Sequence, residues 1–479
     1  MKKIVIIGGG IAGLATAYYL QESGSVDYTL IECSPRLGGK ITSAQHNGFL
    51  IEGGPDSFLT QKKGTLDLCK TLGLEDQLVG SNTGKSAATF VWSGGHLHPM
   101  PEGMMLMAPT MILPFLRSKL ISWQGKMRMG MEVFVPRRPG DRDETLAGFV
   151  RRRLGAEALH KIAGPLMGGI HAADPERLSL KSTFPMFLEM EKKHGSLLRG
   201  MVKRPKPAPA ATSKKPPMFM SLQGGLQSLA EAMIAELPEK ALRTGCCVLT
   251  VSSHDGRYKL VLSDGSSILA DDVVFATPSY VTADLVQQVD PLLASRLREI
   301  RYVSTATVSL GFRRSDISHP MQGAGFIVPK SEGRRITACS WSSEKFKYRA
   351  PDDCVLLRVF IGGALAEDLA EQDEAALVEL AREELRVIMG ITATPVLTSA
   401  YRWHKANPQY DLGHSERVAE IEKTLTDFPG LYLAGAAYHG AGIPDCILSG
   451  MNAARSILIE SIEAGNTHRD ERVPVSIGA

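Results

Sequence analysis

Residues 4–20, Ile-Val-Ile-Ile-Gly-Gly-Gly-Ile-Ala-Gly-Leu-Ala-Thr-Ala-Tyr-Tyr-Leu, decide the fold of this chain. Four apolar residues form a β-type run, and the pattern Gly8-x-Gly10-x-x-Gly13 follows directly and opens a helix. In that context Gly8 suits a tight turn, Gly10 permits a pyrophosphate to approach the backbone, and Gly13 permits close packing of helix on strand. The N-terminus of the helix would then face the phosphates.

A second predicted strand, Tyr28–Glu32, ends in an acidic residue 19 positions after Gly13. A dinucleotide-binding βαβ unit needs an acceptor for a ribose hydroxyl at that place. The glycine pattern alone is a weak signal, and a glycine-rich turn without a ligand is the alternative. The strand, the helix and Glu32 together favour a Rossmann-like fold that binds a dinucleotide.

Three further glycine-rich segments indicate which dinucleotide. Residues 33–40 (CSPRLGGK) and 53–57 (GGPDS) place backbone amides and cations where a nicotinamide enzyme would not need them. Near the C-terminus, residues 431–435 read as a strand, and Gly440-Ala441-Gly442-Ile443-Pro444-Asp445 leads into a helix with proline in its first turn. The N-terminus of that helix suits negative charge on a reduced flavin ring. The two ends of the chain are therefore predicted to build one site.

Composition limits the class of protein. The 479 residues, 44% hydrophobic and 22% charged, are typical of a folded, soluble protein, and the net charge of +3 makes a nucleic-acid partner unexpected. Seven cysteines without C-x-x-C spacing favour a reducing cytosol over a disulfide framework. Cys246 and Cys247, adjacent in a predicted strand, would point to opposite faces and not pair. His96 and His98 lack further ligands, so no metal site is predicted.

The N-terminus has no apolar h-region, which predicts that no secretory signal peptide is present. The longest apolar run, residues 104–116, contains two prolines and is shorter than the roughly 20 residues that span a bilayer. Buried core is the favoured interpretation of this run. Its four methionines, followed by Arg117 and Lys119, leave an apolar channel or peripheral contact with a membrane surface as the alternative.

Other segments have local signatures. A helical pattern covers Asp141 to His171, with the run 151–153 (RRR) expected on the solvent side. Residues 202–217, rich in proline and basic residues, predict a flexible loop. Residues 258–270 read as two strands joined at Asp264-Gly265, and a buried strand follows within 271–278.

With these segments quoted, the chain resembles the oxygen-dependent protoporphyrinogen/coproporphyrinogen oxidases, FAD enzymes of haem synthesis in the amine-oxidase-like superfamily. Residues 401–414 (YRWHKANPQYDLGH) and 177–185 (RLSLKSTFP) add to the resemblance, which runs over nearly the whole chain and is closest to the Gram-positive bacterial type. It implies oxidation of coproporphyrinogen III, and also of protoporphyrinogen IX, in three hydride-transfer cycles, with O2 reduced to H2O2. The chemistry belongs to the flavin, so no catalytic residue is assigned.

The resemblance also implies the site residues. The residues expected to hold FAD are Gly8, Gly9, Gly10, Ile11, Ala12, Gly13, Glu32, Cys33, Lys40, Gly54, Pro55, Asp56, Ser57, Val248, Trp403, Ala441, Gly442 and Ile443. The residues expected to border the tetrapyrrole are Lys63, Gly169 and Ile170, within the segments 62–63 and 166–170. Many related flavoproteins carry an acid after the glycine of the C-terminal strand, whereas here Ala436 follows Gly435.

The predicted fold class is α/β with α+β: a discontinuous Rossmann-like FAD domain, a mixed-sheet substrate domain and a helical insertion. The expected limits are 1–85, 222–290 and 412–479 for the FAD domain. They are 86–100, 176–221 and 291–411 for the substrate domain, and 101–175 for the insertion. A cytoplasmic location is expected, and any contact with a membrane is expected to be peripheral. The alternatives are an amine oxidase or carotenoid-type desaturase on the same fold, or a non-catalytic binding protein.

Overall fold

Two large sheets organise the chain, and a computed structural model describes residues 2–62, 64–82, 88–105, 107–202 and 217–470. The strands, in chain order, are β1 (Lys3–Ile7), β2 (Asp27–Glu32), β3 (Ser43–His46), β4 (Phe49–Glu52), β5 (Phe58–Leu59), β6 (Leu78–Gly80), β7 (Thr89–Ser93), β8 (His96–Pro99), β9 (Met104–Met105), β10 (Ala108–Pro109), β11 (Phe219–Leu222), β12 (Leu242–Thr244), β13 (Val248–His254), β14 (Arg257–Leu262), β15 (Ser267–Ala270), β16 (Asp272–Phe275), β17 (Tyr302–Arg313), β18 (Gly325–Ile327), β19 (Ala338–Trp341), β20 (Cys354–Gly362), β21 (Leu397–Pro408) and β22 (Leu431–Leu433).

The α-helices are α1 (Ile11–Ser23), α2 (Gly64–Thr71), α3 (Ile112–Arg117), α4 (Trp123–Gly130), α5 (Leu146–Arg153), α6 (Ala156–Ala158), α7 (Gly164–His171), α8 (Leu180–Thr183), α9 (Pro185–His194), α10 (Leu197–Val202), α11 (Gln227–Ala235), α12 (Ser279–Leu285), α13 (Pro291–Arg298), α14 (Ser342–Lys345), α15 (Glu367–Ala370), α16 (Glu374–Met389), α17 (His414–Leu425) and α18 (Ile443–Asp470).

The first sheet is five-stranded and parallel, in the order β12-β2-β1-β16-β22. Its central strands are almost entirely buried, as expected for a parallel sheet covered on both faces. One face packs against α1, α11 and α18, and the other against the three-stranded sheet β13-β14-β15 with α12 and α13. At Gly450 of α18 a side chain would collide with the carbonyl of Ala12, so the first and last helices touch through their backbones.

The second sheet is seven-stranded and mixed, in the order β21-β17-β20-β19-β18-β7-β8. The long strands β17, β20 and β21 pair antiparallel, and β18 pairs parallel with β7. The apolar side of α16 covers one face of this sheet, including Leu377 and Leu385. Helix α7 approaches the other face, where a Cβ at Gly169 would lie 3.7 Å from Ile327.

Residues 107–202 form a mainly helical layer, whose core also includes Val91, Ile327 and Ala338 of the second sheet. The helical pattern predicted over 141–171 is present but divided among α5, α6 and α7. Thr145 caps α5 by accepting the N–H of Gly148 at 3.0 Å, and the chain then turns at Gly155, whose φ of +95° ends the helical path. A π-helical turn, Leu159–Ala163, precedes α7. The periodic apolar pattern persists through these breaks, which is why it could not reveal them.

The expectation that the arginine run 151–153 faces solvent is also wrong. Arg153 is completely buried in an ion pair with Glu132, and it lies 3.4 Å from Glu191. Arg152 pairs with Glu191 at 2.7 Å, whereas Arg151 alone is exposed. Carboxylates from distant segments neutralise the arginines, and buried charges are tolerated only when paired in this way.

Several local predictions are confirmed. The two strands predicted over 258–270 are β14 and β15, and the buried strand after them is β16.

The apolar run at 104–116 is only partly buried, because Met107, Ala108 and Phe115 are buried while Ile112 and Leu113 are exposed. Within the described residues no helix is long and apolar enough to cross a membrane. The loop predicted at 202–217 lies, between its two end residues, outside the described residues.

Candidate functional site

The glycine loop after β1 has the geometry of a phosphate cradle. Gly8 adopts a φ of +106°, and a Cβ there would lie 2.9 Å from the carbonyl oxygen of Ala276. A Cβ at Gly13 would collide with the carbonyl of Gly8, so both positions require glycine. At Gly10, in contrast, a Cβ would meet no protein atom within 4 Å. This open side faces the start of α1, which has neither a side-chain cap nor an acidic residue in its first turn.

The first-turn N–H groups of α1 are thus available to an anion. Glu32 stands beside them at the carboxyl end of β2. Its carboxylate accepts the N–H of Gly9 at 2.6 Å and the N–H of Ser34 at 2.8 Å. The segment after it closes over the loop, since the Gly38 N–H donates to the Gly9 carbonyl at 2.8 Å. An acid, a helix N-terminus and an open glycine therefore converge, as a dinucleotide requires.

Cys33 and Val248 lie at the same end of this cradle, and a disulfide joins their surroundings. Cys33 is bonded to Cys247, which immediately precedes Val248, the first residue of β13. The expectation of reduced cysteines is wrong for this pair. The chain brings their Cα atoms to 4.2 Å although 214 positions separate them, a proximity that no spacing rule reveals. Cys246 and Cys247 do not pair with each other, as predicted, although they precede the strand rather than lie in it.

Lys40 and Gly54 lie next to each other. A Cβ at Gly54 would collide with the carbonyl of Lys40, so the two backbones are in direct contact. The Lys40 ammonium donates to the carbonyl of Ala406, at the end of β21. Burial lowers the pKa of this ammonium. The cation is thus placed where an anionic partner would stabilise its charged form.

The loop 53–57 is held by side chains from the second sheet. Trp403 donates its indole N–H to the carbonyl of Gly53 at 2.9 Å. Arg358, buried in β20, donates to the carbonyls of Gly53 and Gly54. This loop therefore joins the two sheets.

Asp56 and Ser57 complete the loop. Asp56 forms an ion pair with Lys345 at 2.8 Å and accepts the hydroxyl of Ser57 at 2.6 Å. Burial acts to raise the pKa of Asp56, but Lys345 and Arg358 outweigh it and hold that pKa well below its usual value. Sequence reasoning missed both cations, although a lone arginine in the apolar strand CVLLRVFIG was a usable signal.

The C-terminal glycines lie at the start of α18. Gly440 donates its N–H to the hydroxyl of Tyr410 at 2.8 Å, and that hydroxyl donates to the carbonyl of Ala436 at 2.8 Å. Ala441 and Gly442 are exposed, and Ile443 begins the helix. Tyr410 thus fastens both ends of the segment 436–440.

Helix α7 carries the residues expected beside the substrate. Gly169 faces the second sheet, whereas Ile170 projects with 57% of its surface exposed. Burial lowers the pKa of the neighbouring His171 to about 4, so its imidazole is neutral near pH 7. The carbonyl of His171 accepts from Gln409 at 3.3 Å, which ties α7 to the segment that holds Tyr410. Lys63 lies outside the described residues, and Lys62 before it pairs with Asp445 of α18.

Comparison with known proteins agrees with this geometry. The model of the family "Flavin containing amine oxidoreductase" matches residues 11–458. A coproporphyrinogen III oxidase of Bacillus subtilis is 38% identical over 465 residues, covering 95% of this chain and 98% of the relative. The coproporphyrinogen III oxidase of Staphylococcus aureus is 35% identical, with 96% and 99% coverage. A solved structure from Exiguobacterium sp. 255-15, provisionally assigned as a protoporphyrinogen oxidase, matches with a TM-score of 0.85, 34% identity, and 96% and 99% coverage.

The chain therefore belongs to the flavin-containing amine oxidoreductases and is an oxidoreductase with a flavin cofactor. The predicted fold class is confirmed. Within that family, two bacterial coproporphyrinogen III oxidases match over nearly their whole length at 35–38% identity.

Proposed function

We propose that this protein oxidises coproporphyrinogen III to coproporphyrin III, with FAD as its cofactor and O2 as the electron acceptor. The near-complete match to two curated coproporphyrinogen III oxidases carries the proposal. Protoporphyrinogen IX is expected as a second, poorer substrate, since plant protoporphyrinogen oxidases match at only 26–30% identity.

We expect the predicted site residues to hold FAD in the following way. Gly8–Gly13 and Glu32 would hold the pyrophosphate and one ribose, and the start of β13 at Val248 would meet the adenine. Lys40 and Gly54–Ser57 would flank the middle of the cofactor. Trp403 and Ala441–Ile443 would border the ring system. When bound, FAD supplies the acceptor for hydride from the substrate and passes the electrons to O2.

The protein's own contribution is orientation and exclusion of water. Formation of an aromatic porphyrin supplies the driving force, so no single acid or base is required. Tyr410, Arg358 and Trp403 are engaged in holding backbone carbonyls and are not free to transfer protons. The neutral His171 adds no charge beside an apolar macrocycle.

The propionates distinguish the two substrates. Coproporphyrinogen carries four carboxylates and protoporphyrinogen two, so cations at the rim favour the former. We expect Lys63 to be one of these cations, with Gly169 and Ile170 contacting the ring. Lys62 is already paired with Asp445, and its role is to hold the segment 62–63 to α18.

Peripheral membrane contact is part of the proposal and rests on one exposed surface, named here the α3–α4 surface. Its large apolar side chains are Met111, Ile112, Leu113, Leu116, Trp123, Met127, Met131 and Phe134. Ile112 and Phe134 expose 74% and 78% of their area. The exposed cations Arg117 and Lys119 lie at its edge, a combination that suits an anionic membrane surface.

The test of membrane contact is co-sedimentation with vesicles of mixed anionic and neutral phospholipid. Ile112→Glu with Phe134→Glu is expected to abolish sedimentation, and Leu292→Glu, an exposed site on α13, is the matched control. Equal sedimentation of all three proteins would refute the contact.

The test of function is turnover by the FAD-reconstituted protein. Coproporphyrinogen III, supplied in air-saturated buffer, should become fluorescent faster than by air oxidation alone, with three H2O2 formed per porphyrin. The kcat/KM should exceed that for protoporphyrinogen IX. Oxidation of amines without oxidation of either porphyrinogen would instead identify an amine oxidase, and failure to take up FAD would identify a binding protein.

A further inference from the structure

We infer that Cys33 and Cys247 are a reversible oxidative modification site, in which peroxide closes the disulfide and thereby tightens the hold on the adenosine end of the cofactor. The inference rests on the proposed function, which supplies both FAD and H2O2. It concerns two residues that take no part in the transfer of hydride from the porphyrinogen.

The location of the disulfide carries the argument. Cys33 directly follows Glu32, the acid at the end of β2, and Cys247 directly precedes β13. Two backbone hydrogen bonds already join these segments: the Gly245 N–H donates to the Ser34 carbonyl at 2.9 Å, and the Cys246 N–H donates to the Glu32 carbonyl at 3.1 Å. The covalent bond fastens the same junction.

Exposure separates this pair from the other cysteines. Cys33 is exposed and Cys247 half-buried, so peroxide and a reducing dithiol can reach the bond. The free cysteines Cys69, Cys246, Cys339 and Cys446 are buried. Cys354 is partly exposed, and burial together with the Asp353 carboxylate raises the pKa of its thiol, which disfavours the reactive thiolate.

The oxidation balances with one peroxide. The Cys33 thiolate attacks a peroxide oxygen, the O–O bond breaks, and Cys33 sulfenic acid and hydroxide result. The hydroxide takes up the proton that the thiol lost and becomes the first water. The Cys247 thiol then attacks the sulfenic sulfur, forms the S–S bond and releases a second water. Two thiols are oxidised and one H2O2 is reduced to two waters. A dithiol reductant reverses the step by thiol–disulfide exchange.

The consequence for the cofactor follows from pre-organisation. With the bond closed, the segments that carry Glu32 and Val248 are held in one arrangement. The binding of FAD then does not have to order these segments. With the bond open, the two backbone hydrogen bonds keep the junction in place but allow it to move. Coupling between two sites is commonly about 5- to 150-fold, and we expect FAD to bind roughly 5-fold or more weakly after reduction. Because coupling is reciprocal, bound FAD should protect the disulfide from reductant by the same factor.

The first experiment maps thiols. The wild-type protein is reduced, freed of reductant, treated with H2O2, alkylated and digested without reductant. A Cys33–Cys247 linked peptide should form with one peroxide consumed per bond, in Cys354→Ser as in the wild type and in neither Cys33→Ser nor Cys247→Ser. Both thiols remaining alkylated, or a cross-link carried by Cys246 with Cys247 alkylated, would overturn the inference.

The second experiment measures the dissociation constant of FAD by the fluorescence of the released cofactor. Oxidised wild type and Cys354→Ser should bind tightly, and both should weaken on reduction. The double variant Cys33→Ser/Cys247→Ser should bind like the reduced protein and ignore the reductant. Equal affinity in both redox states overturns this inference alone. A redox effect without porphyrinogen oxidation overturns the proposed substrate alone, and no FAD uptake in either state overturns both.

Discussion

Replacing Gly10 by alanine tests the assignment of the cofactor cradle. The backbone at Gly10, with φ of −71° and ψ of 177°, is allowed for alanine, and no protein atom lies within 4 Å of the added methyl group. The cost of alanine at a helix N-cap and the gain from a less flexible unfolded chain nearly cancel, so stability should change by less than about 1 kcal/mol. Any large effect must then fall on the ligand.

The expected effect on FAD is large. A methyl carbon keeps neighbouring heavy atoms at about 3.5–4.0 Å, whereas a phosphate oxygen bonded to backbone N–H groups lies at about 2.9 Å. The methyl group therefore displaces the pyrophosphate and weakens at least one hydrogen bond to a charged group, worth about 1.5–3 kcal/mol. At 1.4 kcal/mol per factor of ten, the affinity for FAD should fall roughly 10- to 100-fold.

The assay is titration of the apoprotein with FAD, followed by flavin fluorescence, alongside thermal unfolding of the apoprotein. Gly130→Ala is the matched control, because Gly130 lies on the exposed end of α4 with equal space for a methyl group. It should bind FAD as the wild type does. A folded Gly10→Ala protein that binds FAD with unchanged affinity would refute the placement of the pyrophosphate.

Three further changes have definite expected outcomes. Gly13→Ala should destabilise even the apoprotein, by about 1–3 kcal/mol of overpacking against a backbone carbonyl, and an unchanged Tm would contradict that packing. Arg153→Met should cost about 3–5 kcal/mol in urea unfolding because it removes one partner of a fully buried ion pair, so a loss below about 1 kcal/mol would count against the pair. Asp56, paired with Lys345, has a folded pKa below its unfolded value of about 3.9, so its stabilisation is present above about pH 4 and is lost as the pH falls. Asp56→Asn should reduce the fall in the free energy of unfolding at acidic pH. The same fall in the variant as in the wild type would disprove the contribution of Asp56.

The sequence predicted well what is encoded locally. The unit β1-α1-β2 follows from an apolar run, three glycines at fixed spacing and a terminal acid, all within about thirty residues. The hairpin β14-β15 follows in the same way from alternation around Asp264-Gly265. In both cases the signal and the structure occupy the same short stretch of chain.

The contacts missed by sequence reasoning join distant segments. Arg358 reaches the loop at Gly53 across 305 positions, and Cys33 meets Cys247 across 214. Arg153 is buried because Glu132 approaches it from another element, whereas its own neighbours suggested an exposed charged face. Periodicity describes one element at a time and does not specify which elements meet. The domain limits and the assigned site residues accordingly stay predictions.

The direct contact of α1 with α18 has a consequence for how the protein is made. The strand β1 emerges from the ribosome long before α18, the helix that packs on Ala12 through Gly450. At about 5–20 residues per second, the glycine loop waits roughly 20 s or more for that partner. During this interval the nascent chain exposes the apolar face of α1 and has no complete cradle. The close contact between α1 and α18 therefore forms only after α18 has been translated.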